Sequence, residues 1–259
     1  MIRAYVLALG SAVLVALEGC QDEGPSGLEG VGEPAVLESS TKKLDIGVCS
    51  PGQGGFTLGS NPYFPLDVGM QWDLQGEEDD ESVRVLVTVL NLTRTIDGVT
   101  TRVVEEREWV DDELAEVAWN YFARASDGTM CYYGEDVDVF EDGEISHPGA
   151  WCADEAGNEP GIIMPADPKP GMTYPTEVAP GIAEDEAKIV GSGPVSTPFG
   201  RFTQTIRIRE FNPLDEEKGY KVFAEGVGLV IDEVLLLEDL NQNAPAPPGP
   251  IPTDQTCGV

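Results

Sequence analysis

Tight-turn signals separate a run of alternating segments in the middle of the chain. An Asp-Gly pair favours the two-residue turn of a β-hairpin, because both residues tolerate a positive φ angle. Three such pairs occur: Asp97-Gly98, Asp127-Gly128 and Asp142-Gly143. The segments around them, such as 81–92, 101–110 and 129–140, are β-branched or nearly alternating, as strands are. Segment 113–126 could be helical by composition, but its length and its position between turns predict a strand.

The second half of the chain has fewer turn signals and more proline. Proline cannot donate a hydrogen bond to a sheet, so the proline-rich stretch 159–190 predicts loops and edge strands. Strands are expected again near 183–193, over 196–213, and as a bent final pair over 218–240. Together these patterns predict an all-β domain. We expect a single antiparallel meander that forms a strongly curved sheet or half-open barrel, with long proline-rich loops.

The N-terminus is typical of an exported chain. Arg3 precedes fourteen uncharged residues (4–17), a run too short for a membrane-spanning helix. Leu17 to Cys20 resembles the lipobox of bacterial lipoproteins, in which the cysteine is lipidated and becomes the mature N-terminus. This resemblance implies a signal peptide over 1–19 and a lipid on Cys20. We expect anchoring to the cell membrane, to the outer rather than the inner one if the cell has two.

The composition divides the exported chain into three parts. Residues 20–60 begin with the lipidated cysteine and continue as a spacer rich in Gly, Ser, Pro and acids, which predicts flexibility. Residues 61–241 contain the strand patterns and form the predicted β domain. Residues 242–259 are rich in proline and are expected to be polyproline-like or disordered.

Four cysteines remain once Cys20 is assigned to the lipid. An even number in an exported chain predicts disulfides, and four cysteines allow three pairings. We expect Cys49–Cys257 and Cys131–Cys152, because each of these pairs joins similar surroundings. Zinc is disfavoured, since the chain has no CxxC motif and a single histidine.

The formal net charge of −32 excludes several classes of partner. Nucleic acids and anionic lipid headgroups would be repelled. The acidic residues are expected to solvate the surface, with salt adaptation and divalent-cation binding as the alternatives.

Seven motifs recur in one order between residues 61 and 235. They are NPYFPLDVGMQWDLQG, YYGEDVDVFEDGEI, GAW, PGIIMPADPKPGMTY, PGIAEDEA, STPFGRF and EGVGLVIDE. The chain thereby resembles a group of exported bacterial proteins that open with NPYFPL, a later Gly and a Trp. No activity is established for that group, so the resemblance implies export and no catalytic residue. Cys131 and Cys152 depart from its usual pattern and resemble an added local disulfide.

Two groups of residues are candidates for binding. Tyr63 and Phe64 lie between prolines, where they are expected to close one end of the sheet or to form the lip of a ligand pocket. The second group combines acids with aromatic rings, as calcium or carbohydrate sites do. It consists of Glu135, Asp136, Asp138, Tyr132, Tyr133 and Trp151. Phe140 interrupts the spacing of an EF-hand loop, and adjacent strand residues point to opposite faces.

Catalytic signals are weak. The chain contains no GxSxG, HExxH, P-loop or GxGxxG motif, and no catalytic residue is predicted. We therefore expect a non-catalytic envelope lipoprotein that is a binding or structural module, with an apolar ligand or a protein partner on its curved sheet. A calcium- or carbohydrate-binding surface module is the first alternative, and a carboxylate-dependent hydrolase is the second. No cofactor is expected, apart from calcium in the first alternative.

Overall fold

The computed structural model describes residues 41–253 and Cys257. These residues form seventeen strands: β1 (Lys42–Lys43), β2 (Gln71–Glu78), β3 (Glu81–Ile96), β4 (Val99–Val110), β5 (Glu113–Arg124), β6 (Met130–Glu141), β7 (Glu144–Ser146), β8 (Trp151–Cys152), β9 (Gly161–Met164), β10 (Met172–Pro175), β11 (Glu186–Ser192), β12 (Val195–Ser196), β13 (Arg201–Phe202), β14 (Thr205–Phe211), β15 (Lys218–Ala224), β16 (Gly228–Asp232) and β17 (Leu235–Asn241). Single turns of 3-10 helix cover Ile46–Cys49 and Pro51–Gln53. No helix in this described range has the length and hydrophobicity that crossing a membrane requires.

One large sheet contains fifteen of these strands. Its order is β1-β10-β11-β14-β15-β16-β17-β2-β3-β4-β5-β6-β7, and β8 and β9 also pair with β6. The β1–β10 pair is parallel, whereas the other pairs are antiparallel. The predicted all-β class and the predicted single antiparallel sheet are confirmed. Within the described residues the sheet does not close into a barrel, and the strong curvature stays a prediction.

The turn chemistry of the sequence explains the first hairpins. Asp97 and Gly98 have φ angles of 47° and 77°, and Asp142 and Gly143 have 51° and 81°. Both pairs therefore have the positive φ angles of a type I′ turn, whose twist matches that of paired strands. Segment 113–126, for which we predicted a strand, contains β5 and pairs with both β4 and β6.

The later strands differ in detail from the prediction. The single strand expected over 196–213 is instead the small β12–β13 hairpin followed by β14. The bent pair expected over 218–240 is three strands, because the chain reverses between β15 and β16. Gly226 and Gly228 have φ angles of 75° and 95° at this reversal.

The N-terminal boundary of the domain lies earlier than residue 61. Residues 41–60, the last part of the predicted spacer, pack on the sheet: β1 pairs with β10, and Ile46 and Phe56 contact the core. Their scattered apolar side chains show no strand or helix period, so the sequence pattern did not reveal this packing. The predicted signal peptide, Cys20 and the spacer up to residue 40 lie outside the described residues.

All four cysteines in the described range form disulfides, but the expected pairing is wrong. The bonds join Cys49 to Cys131 and Cys152 to Cys257. The register of β8 is the reason, because it places Cys152 opposite Gly134 of β6, three residues along from Cys131. Three residues of strand span about 10 Å, whereas the Cα atoms of a disulfide lie within about 7 Å of each other.

The C-terminal tail is attached to the sheet, although we expected a polyproline-like or disordered segment. Residues 242–253 have no regular structure, yet Arg107 of β4 donates a 2.6 Å hydrogen bond to the carbonyl of Pro250. The amide of Thr253 donates to Asp138 of β6 at 2.9 Å. Together with the Cys152–Cys257 bond, these contacts hold the tail across β4 and β6.

Candidate functional site

Six connections between strands reach the same end of the sheet. Because neighbouring strands run antiparallel, successive connections alternate between the two ends. The strand order places β10–β11, β14–β15, β16–β17, β2–β3, β4–β5 and β6–β7 at one end. We call it the acidic end, because these connections contain no lysine, arginine or histidine.

The acidic end differs sharply from the opposite end. Its connections contain these acids: Asp79, Asp80, Asp111, Asp112, Asp142, Glu177, Glu184, Asp185, Asp215, Glu216, Glu217 and Glu233. The connections at the opposite end contain Asp97, Asp127, Asp167 and Glu225, together with Lys169 and Arg201. The negative charge is therefore concentrated at one end of the sheet and is not spread evenly over the surface.

Carboxyl groups from distant parts of the chain lie close together at this end. Burial and then the Asp79 and Asp232 carboxylates raise the pKa of Glu78. Burial, Asp215 and Glu78 likewise raise the pKa of Glu217. Neighbouring carboxylates that disfavour each other's ionisation in this way form a strongly negative surface.

A second group of acids lies in the interior behind this end. Glu106 and Glu108 of β4 alternate along the strand with Glu105 and Arg107, so they share the opposite face. On that face Glu106 lies between Val87 and Ala118 of the neighbouring strands. Both glutamates are buried, which places charged groups in a region that strand patterns normally fill with apolar side chains.

Glu108 and Glu116 are direct cross-strand neighbours on β4 and β5. Both side chains are almost completely buried, and Glu116 Oε2 has no hydrogen-bond partner among the described residues. Burial, followed by the charges of Glu108 and Glu106, raises the pKa of Glu116 well above its usual value. Two carboxylates directly opposite each other destabilise a sheet, so this pair favours a proton or an external cation.

Lys221 of β15 supplies the nearest positive charge in this interior. Its ammonium group donates to Asp232 Oδ1 and Oδ2 at 2.9 and 3.1 Å, and lies 3.4 Å from Glu210 Oε2. Burial lowers the pKa of Lys221, but Asp232, Glu210 and Glu106 outweigh this effect and raise it. Burial raises the pKa of Glu210 to about 7, against the opposing effect of Lys221. One lysine therefore balances only part of the interior charge.

The predicted calcium candidates do not converge. Glu135 faces the interior and approaches Tyr132, whereas Asp136 and Asp138 lie on the opposite face of β6, where the C-terminal tail covers them. Asp136 accepts hydrogen bonds from Tyr121 and from the amide of Cys257. Of the described residues, only Asp136, Cys152 and Cys257 bring three potential ligand atoms within 4.8 Å of one another, and those cysteines are disulfide-bonded. This arrangement gives no support for a calcium site.

The predicted aromatic candidates are mostly part of the core. Tyr132, Tyr133 and Trp151 are buried, so they cannot form a platform for a sugar. Phe64 packs against Phe122 and Phe223, with ring centroids 5.0 and 6.3 Å apart. It therefore lies in the apolar core, where it also lines a small cavity, and its role in closing one end of the sheet stays a prediction.

The apolar part of the interior around Phe64, Trp72 and Phe223 contains a small cavity. The volume of this cavity is about 30 Å³. That volume holds a water-sized molecule, whereas pockets for larger organic ligands measure several hundred Å³. This cavity offers no space for an apolar ligand of that size.

The sequence analysis did not identify the interior acids. Glu106 and Glu108 occur in TRVVEEREWV, where the alternation with apolar residues indicates only a strand. The detectable signal was two glutamates at i and i+2, which places both on one face of a strand. Whether that face points to solvent or to the interior depends on the neighbouring strands.

Comparisons with protein-family models, with curated proteins and with solved structures found no match to this chain.

Proposed function

We propose that the protein is a non-catalytic, lipid-anchored module of the cell envelope that binds a basic segment of a protein partner at the acidic end. The observation that carries the proposal is the convergence of acidic connections from both halves of the sheet. Behind that end, one oxygen of the buried Glu116 has no hydrogen-bond partner among the described residues.

Charge distribution favours an extended cation over a single metal ion. Neighbouring strands lie about 4.8 Å apart, so the acidic connections spread their carboxylates over several strand widths. A row of lysine or arginine side chains matches such a surface. Calcium instead needs six to eight oxygens around one point, and the described carboxylates do not cluster in that way.

The small volume of the cavity beside Phe64 does not favour a carrier of apolar ligands, which was one form of our expectation. Binding of a protein partner, the other form, needs an exposed surface, and Asp79, Asp80, Asp111 and Asp112 are exposed. Electrostatic complementarity of this kind speeds encounter and selects partners by charge.

The envelope location is supported by two features of the sequence and the fold. The Leu17 to Cys20 segment resembles a lipobox, and the resemblance to exported bacterial proteins agrees with it. The two disulfides fit an oxidising compartment.

Binding of a twelve-residue oligolysine peptide to the full chain tests the proposed function. The test variant combines Asp79→Asn, Asp80→Asn, Asp111→Asn and Asp112→Asn. All four positions have positive φ angles, which asparagine tolerates, so the turns should be preserved. We expect the variant to bind at least about tenfold more weakly at 0.15 M NaCl, because four exposed charges that face the peptide are lost.

The control variant removes four exposed charges elsewhere: Asp97→Asn, Asp154→Asn, Glu238→Gln and Asp239→Asn. Its affinity should stay within about twofold of the unaltered chain, since charges beyond a Debye length contribute little. Equal losses in both variants, or no binding by the unaltered chain, would contradict the proposal. A saturating stabilisation by CaCl₂ beyond that of NaCl at equal ionic strength would instead support the calcium alternative.

A further inference from the structure

The two flanks of the sheet are joined at a small junction between residues 159–161 and 176–178. The first segment leads into β9, which pairs with β6, and the second follows β10 near the other edge. The amide of Glu159 donates a 2.9 Å hydrogen bond to the carbonyl of Val178. Gly161 lies close to the backbone of Thr176. A Cβ atom added to Gly161 would lie 2.0 Å from the carbonyl oxygen of Thr176.

Three carboxyl groups lie at this junction. Glu135 comes from β6, whereas Glu177 and Asp185 come from the β10–β11 connection, and their exposed fractions are 0%, 1% and 6%. Within the described part of the chain, Glu135 Oε1 and Asp185 Oδ1 have no hydrogen-bond partner. The charge of Glu135 acts on both Glu177 and Asp185, so buried carboxyl groups from the two flanks lie near each other.

Their environment disfavours ionisation. Burial is the largest effect and raises the pKa of Glu135 to about 8 and that of Asp185 to about 8. Burial and then the charges of Glu135 and Asp185 raise the pKa of Glu177.

The other titratable groups around the junction come from six places in the fold. They are Tyr132 and Asp136 of β6, Glu106 of β4, Glu116 of β5, Glu210 of β14, Asp215 of the β14–β15 connection and Lys221 of β15. Lys221 is the one cation in this set, and it already contacts Asp232 and Glu210. Three ionised carboxylates at the junction would thus lack sufficient compensating charge.

We propose that this junction is a proton-dependent latch, in which Glu135, Glu177 and Asp185 hold the two flanks together while they are protonated. Ionisation of the three groups separates residues 159–161 from 176–178 and gives solvent access to the interior acids. The local change in charge biases a contact that is either closed or open. Two of these residues, Glu177 and Asp185, belong to a connection of the acidic end, but the latch depends on buried carboxyl groups and not on the exposed ones of that end.

The direction of the pH dependence follows from linkage. An exposed carboxyl group has a pKa near 4, so the separated state releases protons at a lower pH than the closed junction does. Protons therefore stabilise the closed state fully below about pH 4, and that stabilisation is lost as the pH rises through about 8.

Amide hydrogen exchange of the full chain tests the latch through the amide of Glu159, after correction for base catalysis of exchange. Between pH 6 and pH 9 we expect its protection factor to fall at least about tenfold, because the open state binds fewer protons. The amide of Val87 in the centre of the sheet should change less than about threefold. Unchanged protection of Glu159, or an equal fall at both amides, would overturn the latch.

A variant with Glu135→Gln and Asp185→Asn keeps neutral side chains of the same shape. It should retain the protection of Glu159 at pH 9, whereas a control with the exposed Glu144→Gln and Glu238→Gln should behave like the unaltered chain. If the first variant does not fold, carbon-13 NMR titration of the unaltered protein decides. Glu135 and Asp185 should then titrate above pH 6, and titration of both below pH 5 would refute the proposal.

Discussion

Lys221 is the residue on which the balance of charge in the interior depends. Its side chain is buried, and it contacts Asp232 and Glu210 on neighbouring strands. A buried ion pair adds little stability compared with apolar side chains, because both ions lose their hydration. Removal of one partner is costly, however, since the other charge then stays buried without compensation.

We therefore expect Lys221→Met to lower the free energy of unfolding by about 3 to 5 kcal/mol at pH 8. The loss should be smaller at pH 5, because Glu210, whose pKa is about 7, can then take up a proton. Urea denaturation at the two pH values measures the difference. Lys218→Met, at the exposed start of β15, is the matched control and should have little effect. Equal midpoints for the two variants would show that Lys221 does not have this role.

At the scale of the elements, the C-terminal tail acts as part of the sheet structure. It covers the face of β4–β6 that carries Arg107, Asp136 and Asp138, and it satisfies hydrogen bonds of these side chains. The Cys152–Cys257 bond fixes its end beside β6. The order of the tail therefore depends on tertiary contacts and not on its own sequence pattern.

Loss of the Cys152–Cys257 bond should release the tail. In a Cys152→Ala/Cys257→Ala variant, a broad-specificity protease should cleave within residues 242–253 at least about tenfold faster, because the local opening that cleavage requires costs less free energy. The Cys49→Ala/Cys131→Ala variant should keep the tail protected. Mass spectrometry of the fragments measures both rates, and non-reducing peptide maps should first show the two bonds. A peptide that links Cys131 to Cys152 would contradict this account.

At the scale of the whole molecule, the charge of −32 would repel the protein from an anionic membrane. Stable association with a membrane would then require a covalent anchor, and Cys20 is the proposed attachment point.

We expect palmitate labelling and membrane fractionation of the unaltered chain, and neither in Cys20→Ser. Serine has no sulfur atom for the thioether bond to the lipid, so the label should be lost completely. Cys49→Ala is the control and should still be labelled. Persistent label in Cys20→Ser would exclude the proposed anchor.

The tight turns and the first long strand could be predicted from the sequence alone. Asp97-Gly98 and Asp142-Gly143 specify tight turns through the φ angles that their residues tolerate, and alternation over 81–92 specifies a strand. These signals act over a few residues, so a single sequence is sufficient to detect them. The same holds for the expectation of disulfides, which follows from the count of cysteines in an exported chain.

Contacts between residues that are distant in the sequence depend on the tertiary structure. The register of β8 excluded Cys131 as the partner of Cys152, and the strand order gathered the acidic connections at one end of the sheet. Alternation predicts that Glu106 and Glu108 share a face, but it does not reveal that Glu116 lies opposite Glu108 on that face. The physical reason is that side-chain direction is set locally by the strand, whereas burial and charge compensation depend on neighbours that other parts of the chain supply.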